Sequence, residues 1–234
     1  MLDSVSLKNV LFLDIETVPM VYGYTELSES SRKLWDTKFA YLPNDTNSEQ
    51  QYKKAGVYAE FAKVVCITSG YFNNEEFRLK SFFGEDEKEV LSGFAGMLNN
   101  HFNREEQVLC AHNGKEFDFP FLARRMLING IKLPKLLDIA GKKPWEVKHL
   151  DTMELWKFGD YKNYTSLNLL AHVFGIPTPK DDIQGSDVAR VYWEEKDINR
   201  IEIYCRKDVI TVAQLLLRFK GMPLLKDENI VQPA

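Results

Sequence analysis

The chain has 234 residues, of which 44% are hydrophobic and 27% are charged, and its formal net charge is −4. This composition is ordinary for a globular domain with a sizeable core. It excludes a uniformly basic nucleic-acid-binding protein but leaves room for a local basic surface. The sequence has no N-terminal leader pattern and no run of about 18 apolar residues, so we expect a soluble, cytoplasmic protein without a membrane partner.

The three cysteines, Cys66, Cys110 and Cys205, each lie in or beside an apolar segment. Their number is odd, they are far apart in sequence, and no Cys-x-x-Cys pattern occurs. We therefore expect buried free thiols in a reducing compartment.

The first predicted element is a buried strand at about 9–15, which contains the apolar run 10–13. A polar, irregular excursion follows from about 20 to 62. Within it, Ser28 or Ser30 is expected to cap a short helix, and the Pro-, Asn- and Asp-rich residues 42–51 predict a loop.

The next part of the chain predicts a hairpin followed by a helix and a strand. The β-branched segment 62–72 and the alternating segment 76–83 are expected to pair through a turn at 73–74. Apolar residues at helical spacing predict a helix over 86–102, and residues 107–112 predict another short buried strand.

The remainder of the chain is mainly helical in prediction. A helix over 118–130 tolerates Pro120 in its first turn and ends at Gly130, and a loop-rich section follows it. Further helices are predicted over 166–175, 185–196 and 197–219, the last with a break near its middle, and the segment from Gly221 is expected to be a loosely ordered tail.

This order of elements favours the α/β class, with a mixed sheet flanked by helices. We expect one domain over 1–234, with the excursion at about 20–62 and the tail from about 221 as its irregular parts.

Two carboxylates, Asp14 and Glu16, follow the apolar run of the first strand. Residues two apart on a strand point to the same face, so these like charges should lie side by side. Their repulsion indicates that a cation belongs between them, although acidic pairs at strand ends are often only solvated.

Two further acids lie at special positions. Asp118 opens a predicted helix, where it could be an N-cap, a metal ligand or both. Asp208 shares a helical face with Tyr204, next to an apolar stripe, and no Lys or Arg on that face supplies a partner. An exposed acid at the edge of the stripe is the alternative for Asp208.

The segments "DIE", "NGKEFD" and "YCRKD", in this order, resemble the three motifs of the DEDD superfamily of 3′–5′ exonucleases, in its Tyr-containing branch. The chain looks most like the stand-alone predicted exonucleases related to the proofreading domain of family B DNA polymerases. The segments "EFAKVVCIT" and "SLNLLAHVFGIP" extend the similarity over about residues 8–218.

The resemblance implies a ribonuclease H-like fold, two divalent ions, and removal of nucleotides from a 3′ end. By motif position, Asp14, Glu16, Asp118 and Asp208 would be the metal ligands, and Tyr204 would orient or activate the water. It also implies that the substrate is held by Thr17, Asn113 and Phe117, with Asp151 as a further acid near the site.

The chemistry of phosphodiester cleavage suits these residue types. Two Mg²⁺ or Mn²⁺ ions prefer carboxylate oxygens, and four acids balance the charge of two such ions. Neither His112 nor His149 precedes Asp208 at motif spacing, which favours the Tyr branch and leaves both histidines as packing or surface residues.

The expected partner is nucleic acid with a free 3′ end. Single-stranded DNA is favoured, RNA stays open, and no protein partner can be named. A non-catalytic nucleic-acid-binding module and a metal-dependent endonuclease are the competing hypotheses. The basic residues that could line a strand path are Arg124, Arg125, Lys142, Lys143, Lys162 and Lys180, although a solvated face is the simpler interpretation for each.

Overall fold

A six-stranded mixed sheet in the order β5-β4-β1-β2-β3-β6 forms the centre of the protein. The structure, a computed structural model, describes residues 2–40, 47–160, 164–177 and 183–232. The strands are β1 (Val10–Pro19), β2 (Ala62–Asn73), β3 (Glu76–Phe83), β4 (Val108–Ala111), β5 (Leu150–Asp151) and β6 (Ile230–Val231); the α-helices are α1 (Glu29–Phe39), α2 (Ser48–Tyr52), α3 (Glu87–His101), α4 (Asp118–Ile128), α5 (Thr152–Lys157), α6 (Leu167–Val173), α7 (Val188–Arg190) and α8 (Ile198–Phe219).

Antiparallel pairing joins β1, β2 and β3, whereas β4, β5 and β6 are added in parallel. The predicted α/β class with a mixed sheet is therefore confirmed. The β2–β3 hairpin turns at Asn74 and Glu75, one residue later than predicted, and Asn74 takes the left-handed φ of 57° that this tight loop requires.

Strand β1 is longer than predicted, so its two acids lie within the strand. The pairing with β2 continues past Glu16 to Pro19, and the register shifts between Glu16 and Thr17. Because of this β-bulge, the consecutive residues Val65 and Cys66 of β2 both face the hydrophobic cluster that contains Val18 and Ile201. The end of the sheet beside Glu16 is therefore locally reshaped.

The sheet separates two hydrophobic cores, as the alternation of β1 dictates. Leu11, Leu13 and Ile15 face the core under α3 and α4. Val10 and Phe12 face the core under α8. By the same alternation Asp14 and Glu16 lie on the α8 side, where they continue the row that Val10 and Phe12 begin.

The excursion between β1 and β2 is more regular than predicted. Ser28 caps α1 by accepting a hydrogen bond from the Ser31 N–H, and α2 occupies part of the segment predicted as a loop. Residues 41–46 of that loop lie outside the described residues. The excursion holds its own aromatic cluster around the fully buried Trp35, which packs against Tyr52. Aromatic burial, rather than periodicity, orders this segment.

Several later elements also differ from the sequence-based expectation. The loop-rich section contains β5 and α5. The segment 185–196 divides into a 3₁₀ turn, α7 and a π-helical turn. Helix α8 is continuous over 22 residues and has no break. The segment after Gly221 contributes β6, which pairs with Phe77 and Arg78 of β3, so it is not simply a loose tail.

Among the described residues, none of the helices combines the length and apolarity needed to cross a membrane.

A buried ion pair ties three elements together beside the sheet. The Arg125 guanidinium on α4 bonds both carboxylate oxygens of Glu87 at the start of α3, and it donates to the Ala59 carbonyl at 2.8 Å. Glu87 also accepts from the Val64 N–H of β2 and from Asn129. Arg125 is only 4% exposed. Arg125 is therefore not available to line a strand path, and that interpretation is wrong.

Removal of the Arg125 charge should strongly destabilise the fold. We expect Arg125→Leu to lower the free energy of unfolding by ~3–5 kcal/mol, because it leaves the Glu87 carboxylate buried without its cation. Urea denaturation followed by circular dichroism measures this loss. The control is Arg124→Ala at the exposed neighbouring position, which should change stability by less than about 0.5 kcal/mol. Equal effects of the two substitutions would contradict the assignment.

Candidate metal centre

The site is built first from one face of β1 and its neighbour β2. Asp14 pairs with Thr68 and Glu16 with Cys66 in the antiparallel register, so these four side chains share one patch of the sheet. Glu16 is only 7% exposed. The patch therefore carries two carboxylates where a core would ordinarily place apolar groups.

Helix α8 closes over this patch and brings the third motif to it. Ile201 and Cys205 lie in the cluster beside Cys66, while Val209 and Val212 lie in the core with Phe12. Tyr204 and Asp208, which are four residues apart on the same helical face, turn toward Asp14. The Tyr204 hydroxyl accordingly forms a hydrogen bond with Asp208, and both residues interact electrostatically with Asp14 and Glu16.

Asp118 reaches the same site from the start of α4. It is the first helical residue and not the cap, a position that Phe117 occupies without a side-chain hydrogen bond. The Asp118 carboxylate instead accepts hydrogen bonds from the backbone N–H groups of Ile15 and of Asp118 itself. The N-cap alternative for Asp118 is therefore wrong, and the carboxylate is directed toward β1.

Asp151 organises the loop that carries Asp118. Its carboxylate accepts the N–H groups of Asn113 and Lys115 at 2.9 and 3.0 Å, and it caps α5 through the N–H groups of Met153 and Glu154. With four backbone donors, this carboxylate holds the 113–117 loop against β5. Asp151 therefore acts on the site by positioning Asp118 and by its charge.

Burial and mutual repulsion raise the pKa of every acid on the β1 side of the site. Burial, then the charges of Asp118 and Asp208, hold the pKa of Asp14 well above its usual range. Burial and the Asp14 charge do the same for Glu16. Burial, supported by the Asp151 charge, raises the pKa of Asp118 to about 8. Burial and the nearby carboxylates also raise the pKa of Tyr204, so its hydroxyl stays protonated at neutral pH.

The donor set fits divalent cations. Within the described part of the chain, the buried Oδ2 of Asp14 and Oδ1 of Asp118 have no hydrogen-bond partner. One oxygen each from Asp14 and Glu16 and the Cys205 sulfur lie within 4.8 Å of one another. Buried carboxylate oxygens without partners are costly unless a cation compensates them. Hard divalent ions such as Mg²⁺ and Mn²⁺ prefer such oxygens.

The three residues expected to hold substrate have different environments. Asn113 adopts a left-handed φ of 63°, and its amide oxygen is buried without a partner among the described residues, so the side chain does not bond local backbone. Phe117 is half-buried and packs against Phe121, so part of its ring belongs to the core. The Thr17 hydroxyl donates to the Gly56 carbonyl at 2.7 Å and so keeps only its lone pairs for a ligand.

The two histidines are structural, as expected. The His112 ring bonds the Thr152 hydroxyl and the Thr165 carbonyl, both at 2.9 Å. The His149 ring accepts the Leu109 N–H and bonds the Leu136 carbonyl, and burial lowers the pKa of His149 to about 4. These contacts lock β4 to the segments that follow it.

The remaining basic candidates for a strand path are exposed where the structure describes them. Arg124, Lys142 and Lys143 lie at the surface, and the Lys143 ammonium is 5.2 Å from the centre of the exposed Trp145 ring. Lys162 and Lys180 lie outside the described residues.

Two features of the site were not anticipated from the sequence. Cys205 and Cys66 place thiols against each other beside the acids, although their isolated positions in the sequence suggested only core packing. Tyr164 is 70% exposed, yet it interacts electrostatically with Glu116 and Asp118. The only signal for Tyr164 was its place in an aromatic and basic stretch.

Comparison with known proteins agrees with the fold. The family B DNA polymerase of Pyrobaculum calidifontis superposes on 90% of this chain and 24% of its own, with a TM-score of 0.59 and 17% sequence identity. This similarity shows the fold, which is ribonuclease H-like, as the resemblance implied. Residues 56–229 match the family described as predicted 3′–5′ exonucleases related to the exonuclease domain of PolB. The chain belongs to this family.

Curated relatives are distant and much longer. A DNA polymerase of Pyrococcus glycovorans is 22% identical over 196 residues, which cover 74% of this chain and 24% of the polymerase. A DNA polymerase of Desulfurococcus sp. (strain Tok) is 25% identical over 148 residues, which cover 58% of this chain and 18% of the polymerase. The chain therefore spans less than a quarter of the length of each.

The stability of the metal-free protein should fall as pH rises. Asp118 has a native pKa of about 8, above its unfolded value, so protonation stabilises the fold at low pH and this stabilisation is lost as pH rises through about 8. Between about pH 7 and 8.5, where His149 is mostly neutral in both states, we expect a loss on the order of 1 kcal/mol. Urea denaturation in the presence of a chelator measures it.

The control for this pH dependence is a second aspartate. Asp118→Asn should flatten the dependence, whereas Asp138→Asn, at an exposed carboxylate, should preserve it. Saturating Mg²⁺ should oppose the trend, because the ions bind deprotonated carboxylates. A metal-free protein that gains stability over this range would contradict the proposed repulsion.

Proposed function

We propose that this chain is a metal-dependent 3′–5′ exonuclease that hydrolyses phosphodiester bonds from the 3′ end of single-stranded DNA. The observation that supports it best is the meeting of the three motif segments at one buried site. Asp14 and Glu16 from β1, Asp118 from α4, and Tyr204 with Asp208 from α8 interact there. Family membership supports the reaction type.

The four carboxylates are proposed as ligands for two Mg²⁺ or Mn²⁺ ions. Bound together, such ions supply an acidified water and neutralise charge on the attacking and leaving oxygens. The protein's own contribution is preorganisation. The Ile15 N–H fixes the Asp118 carboxylate, and the packing of α8 fixes Asp208, so neither acid must reorganise when substrate arrives.

Tyr204 is proposed to orient the nucleophilic water through its hydroxyl. It remains protonated because burial and the nearby carboxylates raise its pKa, which makes it a poor base. Its hydrogen bond with Asp208 sets the ring at the edge of the ligand set. Ions held by the four carboxylates would acidify the nucleophilic water, so Tyr204 need only direct it.

The strand is proposed to approach from the side of the 113–117 loop. The amide oxygen of Asn113 is a hydrogen-bond acceptor without a partner among the described residues, so it suits a nucleotide amino or hydroxyl group as donor. The exposed Tyr164 ring, held near by the His112–Thr165 bond, offers a stacking surface for a base. Phe117 and Thr17 complete the proposed substrate contacts. Stacking is sequence-tolerant, as an exonuclease requires.

The decisive experiment follows a 5′-labelled single strand with Mg²⁺. We expect a ladder shortening from the 3′ end, and Asp208→Ala should reduce the rate more than about 100-fold, since loss of even an outer metal partner costs about 10- to 100-fold. The control is Glu202→Gln on the same helix, which should leave the cleavage rate unchanged because Glu202 bonds Ser81 and is not a proposed ligand. A single internal cut would favour an endonuclease, and a gel shift without cleavage would favour the non-catalytic binding module. A matched RNA strand tests sugar preference.

Tyr204→Phe separates water positioning from metal binding. We expect the single-turnover rate to fall roughly 10- to 100-fold, because a hydrogen bond to a charged partner contributes ~1.5–3 kcal/mol. Mg²⁺ affinity, measured by calorimetric titration, should be nearly unchanged. The role would be refuted if Mg²⁺ affinity collapsed while the rate at saturating Mg²⁺ equalled that of the wild type.

A further inference from the structure

Cys205 places a sulfur atom inside the carboxylate site. Its Sγ and one oxygen from each of Asp14 and Glu16 all lie within 4.8 Å of one another. The thiol is fully buried and donates to the Asp14 carbonyl at 3.4 Å. Neither ion proposed for the exonuclease reaction is expected to bind this sulfur, because Mg²⁺ and Mn²⁺ prefer oxygen ligands.

The three donor atoms resemble the ligand set of a softer ion. Zn²⁺ is bound by Cys sulfur together with carboxylate or imidazole in a four-coordinate arrangement, often with water as the fourth ligand. The Oδ2 of Asp14, which is buried without a partner among the described residues, also points to a cation here. Glu16 is nearly as enclosed, with 7% of its surface exposed.

We propose that Asp14, Glu16 and Cys205 form a binding site for a thiophilic divalent cation of the Zn²⁺ class, which competes with the hard ions of the exonuclease site. On binding, the Cys205 S–H bond breaks, its proton leaves to solvent and a Zn–S bond forms, with no change of oxidation state. The ion occupies the two acids of the first motif.

The architecture makes this site rigid on both sides. Asp14 and Glu16 are fixed by the β1–β2 ladder, and Cys205 is fixed by the packing of α8 beside Ile201. The Tyr204 hydroxyl interacts with Asp14 and Glu16, two of the three donors, so the thiophilic site adjoins the residue proposed to orient water. Its consequence for activity rests on the proposed function: Zn²⁺ suppresses Mg²⁺-supported cleavage.

Cobalt(II) tests the sulfur ligand directly, without reference to activity. Added to the full chain after chelator treatment, Co²⁺ should produce a thiolate-to-cobalt charge-transfer band in the near ultraviolet that saturates at one equivalent and disappears on addition of Zn²⁺. Cys205→Ser should abolish the band. The matched control is Cys110→Ser, a buried thiol on β4 that lies outside the cluster of Cys205 and Cys66, which should preserve it. A wild-type protein without the band overturns the proposal, as does a band that persists in folded Cys205→Ser.

Competition with the hard ion is measured on the unmodified protein, so it does not depend on the folding of a variant. Free Mn²⁺, followed by electron paramagnetic resonance, should rise when Zn²⁺ is added to the Mn²⁺-loaded chain. Cys205→Ser should need more than about 10-fold more Zn²⁺ for the same release. Absence of release from a chain that binds Mn²⁺ overturns the competition. A chain with the cobalt band that neither binds Mn²⁺ nor cuts DNA overturns the proposed function and leaves the thiophilic site standing.

Discussion

The structure depends on holding like charges together between β1 and α8. The apolar stripe of α8 opposes this repulsion, because Val209, Val212 and Leu216 bury against Val10 and Phe12 of β1. Each fully buried aliphatic side chain contributes about 1.5–3 kcal/mol, which opposes the repulsion among the carboxylates. The packing of the helix therefore holds its acid at the site, and the proposed cations would relieve the repulsion that remains.

The same strand supplies both the packing and the chemistry because its side chains alternate. On the face of β1 that is turned toward α8, Val10 and Phe12 pack into the core, and Asp14 continues the same row of side chains into the site. A shift of one residue in register would exchange the acids with the leucines of the other core, so the pairing with β2 is strongly specified. Asp151 provides a comparable constraint for Asp118, since four backbone N–H groups converge on one carboxylate. The geometry of the acidic site is thus held by backbone contacts.

Elements with a long hydrophobic periodicity can be predicted from the sequence, whereas elements of only a few residues cannot. Strand β2, the β2–β3 hairpin and α3 carry clear periodicity, and the hydrogen bond between Tyr204 and Asp208 follows from their helical spacing. The two-residue strands β5 and β6 have no period to detect, and their pairing is decided by distant neighbours. The apolar sequence neighbourhood of Cys205 predicts core packing. Only the crossing of α8 over β1 brings its sulfur to the acids.

The mixed donor set has a consequence for metal selectivity. Sites built from oxygen, nitrogen or sulfur bind Zn²⁺ more tightly than Mn²⁺ as a rule, so proteins select the harder ion by geometry and availability. Four carboxylates with room for water favour an octahedral Mg²⁺ or Mn²⁺, whereas Cys205 offers the tighter, four-coordinate arrangement at the same two acids. Because Asp14 and Glu16 belong to both proposed ligand sets, the two proposed modes exclude each other. The balance of hard and thiophilic ions around the chain would then decide whether the carboxylates are organised for the proposed hydrolysis.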